Sequence, residues 1–252
     1  MTALVVVTIA CALVIGVSLG LLGAGGSILT VPLLTFVTAM SPREAITSSL
    51  FAVAVTAALA AVLHGRHGRV RWRMGLVFGV AGIGGALGGA RLSTWLPERL
   101  LMVLFALLMA SAAVAMLRGR RWIEERDETP LTARSVALIA LQGVLLGAVT
   151  GLVGVGGGFI IVPVLTLIAR LPLKQAVGTS VMIIAINASA GFAGHVGRAS
   201  IDWTVTLAVT AAMMCGSVVG GRLCSRVEPE NLRQGFGWFV IAVAVFVLVS
   251  QI

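Results

Sequence analysis

Apolar runs of roughly 20 residues follow one another from end to end of this chain, the length a helix rising about 1.5 Å per residue needs to cross bilayer hydrocarbon. They read at about 3–22, 27–40, 44–63, 74–95 and 99–117, and again at about 134–153, 158–170, 175–194, 203–224 and 232–251. With 59% hydrophobic and 11% charged residues and a mean hydropathy of +1.09, the chain has more apolar surface than a soluble core hides. All nine acidic residues lie near the ends of the runs. An all-α polytopic membrane protein is expected. Residues 1–20 carry no charged lead and run into another apolar segment, so they are expected to stay in the membrane as a span and not to be cleaved as a signal.

The chain also repeats itself. Residues 16–35, GVSLGLLGAGGSILTVPLLT, return at 147–166 as GAVTGLVGVGGGFIIVPVLT, an offset of 131 without a gap. The same offset pairs Ala45 with Ala176, Ser49 with Ser180, His64 with His195, Trp72 with Trp203, Gly85 with Gly216, Gly89 with Gly220 and Arg91 with Arg222. Two fused copies of one unit explain a register held that far. The boundary falls in the only strongly charged stretch, RGRRWIEERDETPLTAR, which divides a first transmembrane repeat (1–117) from a linker (118–134) and a second repeat (135–252).

Basic residues orient the spans. The first two runs of each copy are separated only by glycines, and the second is about 14 residues, short for a span. If the pair is one broken crossing, the copies lie parallel and the 18 basic residues divide 10 to 8. If it is a hairpin, the copies are antiparallel, and only Arg43, Arg91, Arg99 and Arg198 leave the face that collects the other fourteen of the 18. The positive-inside rule selects the second arrangement. An inverted repeat is expected, each copy a Gly-broken helical hairpin plus three transmembrane helices, with the linker cytoplasmic and both termini outside. The charge of +9 is then an orienting signal, and nucleic acid is not an expected partner.

Inverted repeats around broken helices are typical of secondary transporters, an inference by architectural analogy. The glycine clusters give a chemical reason. Gly23-Ala24-Gly25-Gly26-Ser27 and Gly154-Val155-Gly156-Gly157-Gly158 leave peptide N–H groups bare at the start of a short helix, where unpaired donors and the positive end of the helix dipole attract an anion. Close packing of helices is the competing reading, and it is preferred for the small-xxx-small pairs Gly16/Gly20, Gly85/Gly89 and Gly216/Gly220. Pro32 and Pro163, matched in the short helices, each remove a backbone donor and mark candidate gating points. The next helix of each copy opens with Thr47, Ser48 and Ser49 or with Thr179 and Ser180, hydroxyls able to donate to an oxyanion or to their own helix. Gln142 and Asn187 are the amides deep in spans, for which a helix-to-helix bond is the plainer account. His64 and His195, near helix ends, are candidates for a proton relay against a structural role. Trp72, Trp95, Trp122 and Trp203 flank the spans as interface anchors.

No catalytic residue, metal site or cofactor is expected. Cys11, Cys215 and Cys224 have no ligand spacing and read as packing residues. No carboxylate lies inside a span, so an anion would either run down its own gradient and the membrane potential, which drives a monoanion outward with about 2.3 kcal/mol per 100 mV, or be coupled through a histidine, its own protonation, or backbone and hydroxyl oxygens. The alternative from another class is a non-transporting membrane subunit or scaffold whose glycines only pack.

The glycine run leading into a Val-Pro segment, GLVGVGGGFIIVPVL with its partner GLLGAGGSILTVPLL, then KQAVGTSV and HVGRASIDW, resembles the TauE/SafE sulfite exporter family over essentially the whole chain. The resemblance implies a bacterial inner-membrane transporter exporting sulfite, a sulfonate or a related organosulfur anion. It carries over to Gly154, Gly156, Gly157, Gly158, Pro163, Thr179 and Ser180, and less cleanly to the first copy, where Ser27 replaces a glycine and Ser48 stands for Thr179. The expected substrate-binding set is Gly23, Gly25, Gly26, Ser27, Ser48, Ser49, Gly154, Gly156, Gly157, Gly158, Thr179 and Ser180. The partners are a small anion and the lipid bilayer, with a homo-oligomer left open.

Overall fold

Helix starts are written into the chain by side chains that satisfy the first, unpaired N–H groups. Ser41 accepts from the Glu44 N–H at 3.4 Å, with Pro42 preset in the first turn, and Asp202 accepts from the N–H groups of Thr204 and Val205 at 2.9 and 3.2 Å. A computed structural model describes residues 2–23, 29–31, 33–38, 40–93, 114, 133–153, 158–167, 169, 171–195, 201–228, 231, 234, 235, 238, 241 and 245. Its elements are α1 (Thr2–Leu22), a π-helical turn (Leu33–Val37), α2 (Pro42–Arg66), α3 (Trp72–Ser93), α4 (Ala133–Val153), α5 (Gly158–Leu167), α6 (Leu173–His195) and α7 (Trp203–Arg226). All are helical, and they follow the apolar runs between 3 and 95 and between 134 and 224; the runs at 99–117 and 232–251 lie almost wholly outside the described residues.

Among the described residues, three segments are long and apolar enough to cross a membrane by length and composition: Glu44–Arg66, Leu173–Gly194 and Trp203–Cys224. Val6–Leu22, Trp72–Gly88 and Ala137–Ala148 are shorter apolar helices. Large apolar side chains such as Val14, Val80, Leu87, Leu138 and Val219 point outward, whereas the buried polar side chains among the described residues are hydroxyls and one imidazole. Apolar residues outside and hydroxyls inside suit a protein whose solvent is lipid.

Helices of one copy pack on helices of the other. Helix α1 lies on α7 and α4 on α3; α2 packs on α7 and α6 on α3; α2 and α6 pack on each other. Each of the first two pairings has its counterpart at the 131-residue offset. Glycines set the closest approaches, because a Cβ at Gly16 would strike the backbone of Met213, and one at Gly147 that of Gly82. Likewise Gly216 faces Leu13 and Gly85 faces Val144, and Gly20 and Gly220 also meet backbone across the α1–α7 seam. The packing role expected of Gly16, Gly20, Gly85, Gly216 and Gly220 is the one they perform.

The ends of α2 and α6 fix their relative direction. Arg71, just beyond the end of α2, donates from Nε to Gln175 Oε1 at 2.9 Å at the start of α6, and the Asp202 N–H, beyond the end of α6, reaches Glu44 Oε1 at 3.2 Å at the start of α2. The start of each helix therefore lies at the end of the other, and they run in opposite senses. Leu50 against Gly191 and Phe51 against Phe192, with ring centroids 5.3 Å apart, likewise set the first part of α2 beside the last part of α6. Both bonds are one contact of the repeat, since 71 pairs with 202 and 44 with 175.

The short segment after each glycine cluster ends alike in both copies. The Met40 N–H reaches Leu34 O at 3.3 Å and the Leu171 N–H reaches Leu165 O at 2.9 Å, positions one offset apart. Pro163 lies inside α5. Thr166, one turn further on, donates to the Val162 and Pro163 carbonyls at 2.9 and 3.0 Å.

Candidate functional site

Helix α1 stops at Leu22 because Gly23 turns left-handed, with φ +72°. Its N–H closes on Leu19 O at 2.9 Å, a C-terminal glycine cap that a side chain would strain. A helix end leaves four carbonyls without partners, and in an apolar interior each must find a donor. Two side chains answer. Nε2 of His64, from α2, lies 2.9 Å from Gly20 O, and Ser180 Oγ, from α6, donates to Gly23 O at 2.8 Å as well as to Val177 O at 2.8 Å. A carbonyl only accepts, so His64 carries its hydrogen on Nε2 in this bond. The end of α1 is thus held by one side chain from each copy.

The hydroxyls at the helix starts are all buried. Ser49 donates to Ile46 O at 2.8 Å and Ser180 is occupied as above, so both spend their hydrogens on carbonyls. Ser48 accepts from Thr206 Oγ1 at 3.0 Å and Thr179 accepts from the Arg71 N–H at 3.1 Å, so each can still offer its own hydrogen. These two are repeat mates. Thr179 also lies beside Gly75, whose missing side chain leaves room for it; a Cβ there would meet Thr179 Cγ2 at 3.4 Å and Met182 Sδ at 2.8 Å.

Of the expected substrate-binding set, Gly23, Ser48, Ser49, Thr179 and Ser180 are described, and the structure brings Gly23 and Ser180 into contact. Gly25, Gly26, Ser27, Gly154, Gly156, Gly157 and Pro32 lie outside the described residues, as do the side chain of His195 and the two glycine breaks themselves. Gly158 opens α5. His64 is buried on Gly20 O, a structural task at the helix end. Trp72 and Trp203 stand half exposed at the starts of α3 and α7, as interface anchors do. Trp95 and Trp122 lie outside the described residues.

The sequence did not single out Thr56. It is fully buried at mid-length of α2, and its Oγ1 has no hydrogen-bond partner. Its repeat mate, one offset on, is Asn187, whose Oδ1 is likewise unpartnered, as is Oε1 of Gln142. Those oxygens do not make the helix-to-helix bond expected of the two amides. Asn187 lies beside Gly82 of α3, where an added Cβ would meet its amide at 3.7 Å. The offset could have revealed Thr56, but a lone Thr in an apolar run gives no signal.

An all-helical bundle with apolar outer faces and inner hydroxyls is the architecture of a multi-pass membrane protein. The family model described as sulfite exporter TauE/SafE matches residues 8–247, and the chain belongs to that family. A "Probable membrane transporter protein" of Xylella fastidiosa (strain 9a5c) is 33% identical over 246 residues, covering 96% of this chain and 94% of its own. YdhB of Bacillus subtilis (strain 168) is 28% identical, over 87% of this chain and 90% of its own, and MJ0441 of Methanocaldococcus jannaschii is 24% identical, over 87% and 86%; both carry the same description. No solved structure matches. Membership makes this a membrane transporter and not an enzyme, and sets aside the scaffold alternative.

Proposed function

We propose that the chain exports a small sulfur-containing anion, sulfite or a sulfonate, across the bacterial inner membrane by alternating access. The observation that carries this reading is the junction at Gly23, where the end of a broken helix from one copy is held by a hydroxyl from the other. In an inverted repeat the substrate site lies where the two copies meet near the bilayer midplane. The opposed run of α2 and α6 and the exchanged pairings α1–α7 and α4–α3 support such a repeat, with copies at 1–117 and 135–252 around a cytoplasmic linker at 118–134 and both termini outside.

In this reading the bare N–H groups of Gly25, Gly26 and Ser27, and of Gly154, Gly156, Gly157 and Gly158, face the anion, and the hydroxyls of Ser48 and Thr179 donate from the adjoining helices. Ser49 and Ser180 hold backbone in place. Pro32 and Pro163 let the short segments move. Thr56 and Asn187, repeat mates whose side-chain oxygens are buried and unpartnered, are read as lying along the path, since buried polar atoms seek a partner. The substrate is expected to supply it transiently.

The test is efflux of sulfite from proteoliposomes holding the purified full-length chain. Sulfite should leave faster than from protein-free vesicles, and the S48A/T179V double variant should lower the rate at least tenfold, about 1.4 kcal/mol of lost donor interaction. Efflux equal to that of protein-free vesicles would refute the reading.

A further inference from the structure

Helix α2 ends in a basic turn. Arg66 and His67 are exposed there and His64 is buried one turn back. Helix α7 passes alongside and presents Val218, Gly221 and Arg222, spaced three and four residues apart so that they share a face. Between the two elements lies a cavity of about 210 Å³ lined by these residues, far above the roughly 10–15 Å³ that one water needs. Position 221 adds no side chain to it: a Cβ there would find His64 Nε2 as its nearest neighbour, at 3.9 Å. No carboxylate is among its lining residues, while two guanidinium groups and two imidazoles are. The repeat does not reproduce this composition, since position 197, the mate of Arg66, is Gly, and position 90, the mate of Gly221, is Ala.

The geometry points to a binding site for a phosphate-type oxyanion in this cavity, with Arg66 and Arg222 as its charged arms. Guanidinium groups match a tetrahedral oxyanion through paired N–H donors. The cavity lies at the end of a membrane-length helix, the depth of lipid headgroups, so the oxyanion is carried either by an anionic lipid or by a free ion. A group bound there sits against His64, whose Nε2 holds the Gly20 carbonyl at the end of α1, and so touches the support of the helix break. The site stands independently of the transported substrate, because binding alone reads it out.

The experiment uses the full-length protein in phosphatidylcholine mixed micelles, titrated either with phosphatidylglycerol or with inorganic phosphate and followed by its thermal unfolding midpoint. One or both probes should raise the midpoint saturably for the wild type and for R73Q, which removes an exposed charge that does not line the cavity. In R66Q/R222Q the half-saturating concentration should rise about twenty-five-fold, from about fivefold per arginine near a membrane surface. G221L, which keeps every charge and fills the cavity, should abolish the response. A response to phosphatidylglycerol alone assigns the site to lipid, and one that phosphate reproduces assigns it to a free ion. A response unchanged in both R66Q/R222Q and G221L, or no response to either probe in the wild type, overturns the proposal.

Discussion

Replacing Gly23 with alanine meets two separate obstacles at the heart of the site. The first is conformational: at φ +72° an L-residue places Cβ against its own backbone, at about 1–2 kcal/mol. The second is steric. The new Cβ would lie 2.5 Å from Ser180 Oγ, 2.9 Å from Val177 O and 3.1 Å from Val177 Cα, so the hydroxyl must leave and its bond to Gly23 O, about 1 kcal/mol, goes with it. The sum is about 2–3 kcal/mol. For chains of 150–250 residues each kcal/mol lowers the thermal midpoint by about 2–4 °C, so G23A should unfold some 4–12 °C below wild type, measured by tryptophan fluorescence at matched lipid and detergent. S180A alone should lose only the hydroxyl bond. Because S180A also removes the atom that G23A strikes, the double variant should be more stable than the two single losses added together, by about 1 kcal/mol. Strict additivity, or a G23A midpoint equal to that of wild type, would refute the idea that Ser180 caps this break.

Other substitutions separate packing from capping. H64A leaves the Gly20 carbonyl buried without a donor and should cost about 1–3 kcal/mol in the same thermal assay, while H64Q, which can still present an N–H, should cost less. G216V drives a side chain into the Leu13 backbone and should cost at least about 1–3 kcal/mol, whereas G84A, with nothing within 4 Å of its Cβ, should be neutral or stabilise by up to about 1 kcal/mol. D202A strips the α7 start of its acceptor for the Thr204 and Val205 N–H groups and should cost about 0.5–2 kcal/mol.

Much of the architecture is legible in the sequence because span length, caps and small-residue spacing are local properties. The runs at 44–63, 175–194 and 203–224 became α2, α6 and α7 with their ends moved by a few residues, and the polar caps Ser41 and Asp202 set two of those ends. Gly16, Gly20, Gly216 and Gly220 read as packing residues because the pattern itself carries the reason. The site was less legible. That Ser180 and Ser49 donate to carbonyls, leaving Ser48 and Thr179 with a hydrogen to offer, depends on which helix faces which, and that information is absent from any single segment. His64 looked like a relay or a prop by its chemistry, and only its approach to Gly20 O gives it the second task. Thr56 carried its signal solely through the 131-residue offset to Asn187.

The central claim is that two mirrored copies meet at their helix breaks, and sidedness tests it most directly. In a chain whose Cys11, Cys215 and Cys224 are replaced by alanine, single cysteines would be placed by H67C in the loop between α2 and α3 and by S200C in the loop between α6 and α7, then exposed to a membrane-impermeant thiol reagent in intact and permeabilised cells. Position 200 should label in intact cells and position 67 only after permeabilisation. Labelling of both positions from the same side would contradict the inverted repeat.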